Sequence, residues 1–251
     1  MYLGNTKHHA AILALFSTLS CSAAFAGTMG PVSSAFKGHF LAQIGGYSAI
    51  QGKAQTIHMT ENLIGNRYTV TTHNQGNGLV GLGYLLDGPV IQGRFPISYG
   101  IDAFFLGQTS VRGYIIQEEE FTNLSYRYKV QHIPLYFVAK TVLDTKVEKV
   151  KLAFDAGIGP NFMSASHYKE EALAAFVIPD RAFSGRNNTT FAATVGASLR
   201  YVNSPDSIPL ECGYRFFYLG QGKFQTNNEQ VLNTVKTGDN YANAFVCTVT
   251  I

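Results

Sequence analysis

The sequence has no tryptophan and few charges, since Asp, Glu, Lys and Arg together make up 14% of its 251 residues. The 19 basic and 16 acidic residues nearly balance and form no basic stripe, which excludes the electrostatics that a nucleic-acid partner needs. A hydrophobic content of 46% is too high for a disordered chain. A mean hydropathy of +0.03 is too low for a bundle of membrane helices. The 25 Gly, 18 Phe and 14 Tyr favour aromatic strands joined by turns.

Cysteine is also scarce. Of the three cysteines, Cys21 lies in a predicted export signal, which leaves Cys212 and Cys247. Two cysteines do not form a disulfide scaffold. The chain has no Cys-x-x-Cys pair and its histidines are widely scattered, so we predict neither a metal site nor a cofactor.

The amino-terminal segment has the order of a secretory signal. One lysine and two histidines precede the apolar run Ala10–Leu19, which is followed by the small-x-small triplet Ala24–Ala26. We therefore predict a signal peptide over residues 1–26 and a single β domain over residues 27–251. A membrane anchor is the first alternative, although a bilayer span needs about 20 residues. A lipid anchor on Cys21 is the second.

Period-two alternation dominates the rest of the chain. In the clearest segment Phe191, Val195 and Leu199 share one face, while Thr190 and Thr194 lie on the other. This spacing predicts strands rather than helices. Eight strands are predicted, at 36–47, 77–86, 94–107, 126–142, 149–163, 189–203, 208–220 and 240–251.

The connections between these strands alternate in length. Short links follow the second, fourth and sixth strands, at Asp87–Gly93, Leu143–Glu148 and Ser204–Ser207. Long polar segments follow the others, at Ser48–Gln75, Gln108–Ser125, Ser164–Asn188 and Gln221–Asp239. Short turns on one rim and long loops on the other are typical of outer-membrane barrels. The predicted fold class is therefore all-β: an eight-stranded antiparallel up-and-down transmembrane β-barrel with short periplasmic turns and long extracellular loops.

The two faces of the predicted strands differ in side-chain size. One face carries nearly all of the Phe, Tyr, Leu and Ile, and the other carries Gly, Ala, Ser and Thr with single charges. An eight-stranded barrel has a narrow interior, so we place the bulky face outside, in lipid. The alternative is a soluble lipocalin-like calyx with the apolar face inward.

Charged side chains on the small-residue face would then point into the barrel. Because a buried unpaired charge is costly, we expect them to form a paired network. The predicted members are Asp102, Lys140, Lys151, Asp155, Arg200, Glu211 and Arg215. We interpret the network as polar filling of a small or closed lumen, and a gate in a narrow channel for small solutes is the alternative.

Several strand segments resemble those of a known family. They are Gly78–Tyr84, Ala153–Gly159 and Glu211–Phe216, which contains Gly-Tyr-Arg-Phe. With the Ala-Phe-Ala signal end, they resemble the opacity-protein and OmpA-type outer-membrane barrels, which include porin-family surface antigens. The resemblance implies a bacterial outer-membrane location, with the membrane lipids and the barrel-assembly machinery as partners. The family usually ends in an aromatic residue that this machinery recognises, whereas this chain ends in Ile251.

The remaining predictions concern single residues. If the last two strands pair around a loop centred near Gln230, Cys212 and Cys247 lie nearly opposite, which predicts a cross-strand disulfide. No Ser, His and acid group is arranged for acyl hydrolysis, so no catalytic residue is predicted. The loops carry the charge runs Glu118–Glu120 and Lys169–Glu171, which are solvated faces or ligands for a cation. Four loop aromatics are candidates for contact with an extracellular ligand: Tyr68, Tyr114, Phe121 and Phe176.

Overall fold

The computed structural model describes residues 37–58, 65–72, 74–92, 95–202, 208–227 and 231–251. The predicted signal peptide, residues 1–26, and the first ten residues of the predicted domain lie outside the described residues. No helix in the described part of the chain is long and apolar enough to cross a membrane.

The described residues form long strands with a few short ones between them. In chain order the strands are β1 (Gly38–Ile50), β2 (Gln55–Ile57), β3 (Asn66–Tyr68), β4 (Asn74–Ile91), β5 (Phe95–Gln117), β6 (Phe121–Asp144), β7 (Val150–Ala172), β8 (Phe183–Ser184), β9 (Arg186–Tyr201), β10 (Leu210–Lys223), β11 (Gln225–Thr226) and β12 (Lys236–Thr250). Strands β1, β4, β5, β6, β7, β9, β10 and β12 correspond to the eight predicted strands.

These eight strands close into a ring. Each pairs with its neighbour in the chain order of the eight, and the first strand, β1, also pairs with the last, β12. All eight pairings are antiparallel. Closure leaves no free edge in the ring, so each strand satisfies its backbone groups on both sides. The predicted eight-stranded up-and-down barrel is confirmed.

The two rims of the barrel differ, as predicted, but the long connections are shorter than the sequence suggested. The prediction of a long loop over Gln108–Ser125 is wrong, because β5 continues to Gln117 and β6 begins at Phe121, with only the turn Glu118–Glu120 between them. Ser164–Asn188 is also wrong in part, since β7 continues to Ala172 and β9 begins at Arg186. Strand β6 has 24 residues, which is more than twice the 9 to 11 or so that cross a bilayer.

The long strands divide the barrel into two halves. We call the half that carries the short turns the lower half and the half that carries the longer connections the upper half; on β6 they meet near His132. In the lower half large apolar side chains point outward, such as Phe137, which is 66% exposed. In the upper half they point inward, such as Tyr128, which is 1% exposed.

Candidate functional site

An ion network fills the interior of the lower half. Arg215, on β10, donates from Nη1 to Oδ2 of Asp102 on β5 at 3.1 Å. Its Nη2 lies 2.8 Å from Oδ1 of Asp155 on β7. Gln43 donates a second hydrogen bond to Asp102. All three charged side chains are at most 9% exposed, so a single guanidinium is the counter-charge of two nearly buried carboxylates.

A second ion pair lies beside the first. Lys140 on β6 donates to both carboxylate oxygens of Glu211 on β10, each at 2.7 Å. Ser198 on β9 donates to Glu211 Oε1 at 2.6 Å. The two groups together bring five of the seven predicted charges into the interior, as Asp102–Arg215–Asp155 and Lys140–Glu211.

The other two predicted charges lie at the lower rim instead. Lys151 pairs with Asp144 at 2.8 Å, and both side chains are more than a third exposed. Arg200 is the cross-strand partner of Lys151 and of Glu211. Both residues point inward by alternation, but they stand too close to the strand ends to be covered.

Aromatic rings close the interior above the ion network. Phe104 on β5, Tyr136 on β6 and Phe217 on β10 form a triangle with ring centroids 5.2 to 6.3 Å apart. The guanidinium of Arg215 lies 4.9 Å from the centre of the Phe104 ring. Because β5 and β10 stand on opposite sides of the ring of eight strands, their side chains meet across the lumen. The interior is therefore less polar than predicted.

A larger aromatic cluster fills the upper half. Tyr128 and Tyr168 both pack against Phe224, at centroid distances of 4.9 and 5.6 Å. Phe183 meets Tyr168 edge-on at 5.4 Å, and Tyr68 meets Tyr126 at 5.2 Å. Burial raises the pKa of the clustered tyrosines, so their hydroxyl groups stay neutral at physiological pH. The prediction that Tyr68 contacts an extracellular ligand is wrong, because it is 1% exposed in this cluster.

Cys212 and Cys247 are joined. Cys212 on β10 is the direct cross-strand partner of Cys247 on β12, and the two form a disulfide. Both side chains lie on the outward face of the lower half, where alternation placed them.

His132 and His39 have structural partners. His132 is fully buried, with Nδ1 3.0 Å from the amide nitrogen of Asn161. His39 lies at the lower rim, 3.1 Å from the carboxylate of Asp87. Within the ranges that the structure describes, no group of three or more His, Cys, Asp or Glu side chains is placed to hold a metal ion.

The side chains on the outer surface of the lower half indicate whether lipid or water surrounds it. Its strands expose a continuous belt of large apolar side chains: Phe40, Ile44, Val80, Leu82, Ile101, Phe137, Phe154, Ile158, Phe191, Val195, Leu199, Tyr214 and Phe245. A soluble protein rarely exposes an apolar patch above a few hundred Å². The belt excludes the soluble calyx, whose apolar side chains would point inward, and it matches the lipid-facing band of membrane barrels. The protein is an outer-membrane β-barrel.

The chain is similar to several solved structures at low sequence identity. No family model and no curated protein matches the chain. The Neisserial surface protein A is similar in structure, with 15% identity, a TM-score of 0.40, and coverage of 84% of this chain and 96% of that chain. For OprG of Pseudomonas aeruginosa the identity is 11%, the TM-score 0.44, and the coverage 86% and 97%. For Ail of Yersinia pestis they are 12%, 0.32, and 86% and 99%. Because these identities and TM-scores are low, the assignment as an outer-membrane barrel is based on the closed ring of strands and the apolar belt.

The outer wall of the upper half carries a row of basic residues that was not among the predicted sites. Arg112 on β5 lies directly opposite Arg127 on β6, which lies directly opposite Lys169 on β7. Arg112 and Lys169 fell in segments that were predicted to be loops. The signal was the alternation itself, since Arg127 and Lys129 alternate with Tyr126, Tyr128 and Val130, as strands require.

Proposed function

We propose that the protein is a closed outer-membrane barrel that holds a recognition surface outside the cell and does not conduct solutes. The support for a closed lumen is the triangle of Phe104, Tyr136 and Phe217, which lies directly above the ion network of Asp102, Arg215 and Asp155. Side chains from opposite walls thus touch at two levels of the lower half. Water and ions have no continuous path where such layers are packed.

The recognition surface that we propose is the connection from Leu173 to Ile178. Phe176 and Ile178 lie far from the apolar belt of the lower half. Their side chains are 85% and 83% exposed, which is unusual for large apolar residues. Val177, between them, packs against the aromatic cluster of the upper half. Leu173 N donates to the Asn123 carbonyl at 2.9 Å. The segment is therefore anchored at both places while it presents two apolar side chains to the exterior.

The assignment to the opacity-protein and OmpA-type barrels also belongs to this proposal. It is supported by the strand segments described above and by an all-antiparallel ring with short turns on one rim. The signal peptide at residues 1–26 and delivery by the barrel-assembly machinery are also part of this proposal. Together they describe an exported surface protein with no enzymatic activity.

Conductance in planar bilayers tests the closed lumen. The refolded barrel should give no steady current above the bare membrane, because Arg215 and the aromatic triangle fill the lumen. A steady, ion-selective current that changes when Glu211 is replaced by Gln would contradict the proposal and favour the small-solute channel.

Surface display of the barrel tests the recognition surface. Cells that display a Phe176→Ser, Ile178→Ser double variant should bind less well than wild type to a panel of immobilised glycoproteins and polysaccharides. Leu232→Ser is the matched control, because Leu232 is also an exposed apolar residue, 56% exposed, of an upper connection. Equal loss in the two variants, or no loss in either, would contradict the assignment of this segment.

A further inference from the structure

The outer wall of the upper half carries a cluster of like charges that strand pairing alone does not explain. The row Arg112, Arg127, Lys169 places three cations on three neighbouring strands in direct register. Lys129 follows Arg127 by two residues on β6, on the side nearer the membrane, and adds a fourth cation on the same face. Directly opposed like charges destabilise a sheet. A row of three therefore calls for a partner of opposite charge.

Among the residues that the structure describes, one carboxylate pairs with this row. Glu171 Oε1 lies 3.0 Å from Arg127 Nη2, and both side chains are about half exposed. The neighbouring carboxylate of Glu170 is engaged elsewhere, as it accepts a hydrogen bond from Tyr168 Oη at 2.6 Å. In the described part of the chain Arg112, Lys129 and Lys169 form no ion pair. Four cations thus face one carboxylate.

The backbone is shaped to put these cations on one surface. An extra residue in β7 shifts the register between the pairs Arg127–Lys169 and Lys129–Ser166. His167, in this bulge, has a φ of 54° and points outward beside Lys169. The cations line a shallow concavity of about 220 Å³ together with Ser110, Tyr128 and His167. Guanidinium and ammonium donors around a concavity of this size suit an oxyanion such as a phosphate group.

The height of the cluster above the apolar belt indicates where that phosphate comes from. On β6 the last outward apolar side chain is Ile133, four residues from Lys129. At about 3.3 Å per residue and a strand tilt of about 40°, Lys129 lies roughly 10 Å above Ile133. Arg127 lies about 5 Å higher still. The headgroup layer begins at the edge of the apolar belt and extends roughly 5 to 8 Å outward in a simple bilayer. Long basic side chains reach down into it.

We propose that Arg112, Arg127, Lys129 and Lys169 form a binding site for the phosphate groups of a phosphorylated glycolipid in the surrounding outer leaflet. The cluster faces sideways from the barrel wall, toward the lipids that surround the belt, and not upward toward the medium. A phosphorylated saccharide headgroup matches both the height of the row and its spread across three strands. The bound phosphates offset the repulsion within the row and fix the barrel against its lipid neighbours.

Lipid retention by the refolded full chain tests the site. The probe is diphosphorylated lipid A, titrated into the barrel in neutral detergent and followed by native mass spectrometry, with fully dephosphorylated lipid A alongside. The test variant carries Arg112→Gln, Lys129→Gln and Lys169→Gln. The matched control carries Lys37→Gln, Lys146→Gln and Lys149→Gln, three exposed lysines at the lower rim, so the change in net charge is the same.

The test variant should bind diphosphorylated lipid A about tenfold more weakly or worse, because three charge-assisted contacts are removed. The control should bind like wild type, and the dephosphorylated lipid should bind weakly to all three. If the triple variant does not show the heat-sensitive gel mobility of a folded barrel, the single variant Arg112→Gln replaces it in the test. We expect this single variant to bind about threefold more weakly than wild type. Equal affinity of the test variant and wild type, or of the two lipids, would overturn the proposal. Inorganic phosphate that binds the row as tightly as the lipid would assign it to a soluble anion instead.

Discussion

The two halves of this barrel are built from the same strands with opposite patterns. In the lower half the interior holds the Asp102–Arg215–Asp155 group and the exterior is apolar. In the upper half the interior holds packed aromatic rings such as Tyr128 and Phe224, and the outer wall carries the basic row of Arg112, Arg127 and Lys169. Alternation by itself therefore does not say which face is inside. The surrounding solvent decides, and it changes from lipid to water part-way along each long strand.

Strand β6 shows the change within one element. Its outward positions pass from Phe137 and Ile133 to Lys129 and Arg127, while its inward positions pass from Lys140 to Tyr128. In lipid an apolar side chain that points outward has no free-energy cost. The narrow interior of the lower half can therefore be filled by paired charges instead of apolar side chains. In water the hydrophobic effect requires that the apolar side chains turn inward. Each half is thus stabilised by a different interaction, and each fails in a different way.

The lower half should fail most severely when its central cation is removed. Arg215→Met leaves the buried carboxylates of Asp102 and Asp155 without a counter-charge, and we expect a loss of about 3 to 5 kcal/mol in the free energy of unfolding. Urea unfolding in micelles, followed by heat-sensitive gel mobility, measures it. Adding Asp102→Asn and Asp155→Asn should restore most of the loss. Arg127→Met, on the outer wall, should cost less than about 0.5 kcal/mol. Similar losses in the two single variants would contradict a charge-dependent interior.

The upper half should instead fail by loss of packing. Phe224→Ala removes the ring between Tyr128 and Tyr168 and should cost about 3 kcal/mol, confined to the upper half. We expect new proteolytic cleavage in the upper connections while the lower half keeps its heat-sensitive mobility. Leu232→Ala, which truncates an exposed side chain, is the control and should leave the cleavage pattern unchanged. A global loss of the folded barrel in Phe224→Ala would show that the two halves are not separable.

The smallest effect concerns the tip of the β5–β6 hairpin. Glu118 and Glu119 have φ values of 53° and 62°, which belong to the left-handed region that favours glycine. Glu119→Gly should therefore stabilise the hairpin by roughly 1 kcal/mol, measured by hydrogen exchange of β5 and β6 amides near the tip. Glu120→Gly removes the same charge without this relief and should not stabilise. If both substitutions slow exchange equally, charge repulsion rather than backbone strain limits this turn.

The same contrast explains which features were predictable from the sequence. Strand number, antiparallel order and the outward belt follow from alternation, and Phe191 to Tyr201 shows it without ambiguity. The pairing of Cys212 with Cys247 needs only the position of one turn. The sequence predicts loops over the upper parts of β5 and β7 because charges in or beside them resemble solvated segments: the Glu118–Glu120 turn after β5, and Lys169–Glu171 in β7.

The contacts across the lumen were not predictable to the same degree. Alternation places Asp102, Asp155 and Arg215 inside, but which of them meet depends on the stagger of strands that are far apart in the chain. Lys151 and Arg200 show what alternation does not predict. Both point inward, as predicted, but they lie at the lower rim and not deep in the barrel. The triangle of Phe104, Tyr136 and Phe217 depends on the same stagger.

The depth profile of the outer face of β6 tests the inversion most directly. Single cysteines carrying a nitroxide label are introduced at the outward positions Arg127, Lys129, Gln131, Ile133, Leu135, Phe137 and Ala139. Collision rates with oxygen, which is enriched in lipid, and with a water-soluble nickel complex are then measured in bilayers. We predict high nickel access at Arg127 and Lys129, a crossover near Gln131, and high oxygen access from Ile133 to Ala139. Uniform nickel access along the whole series, or lipid-like values at Arg127, would contradict a change of solvent along the strand.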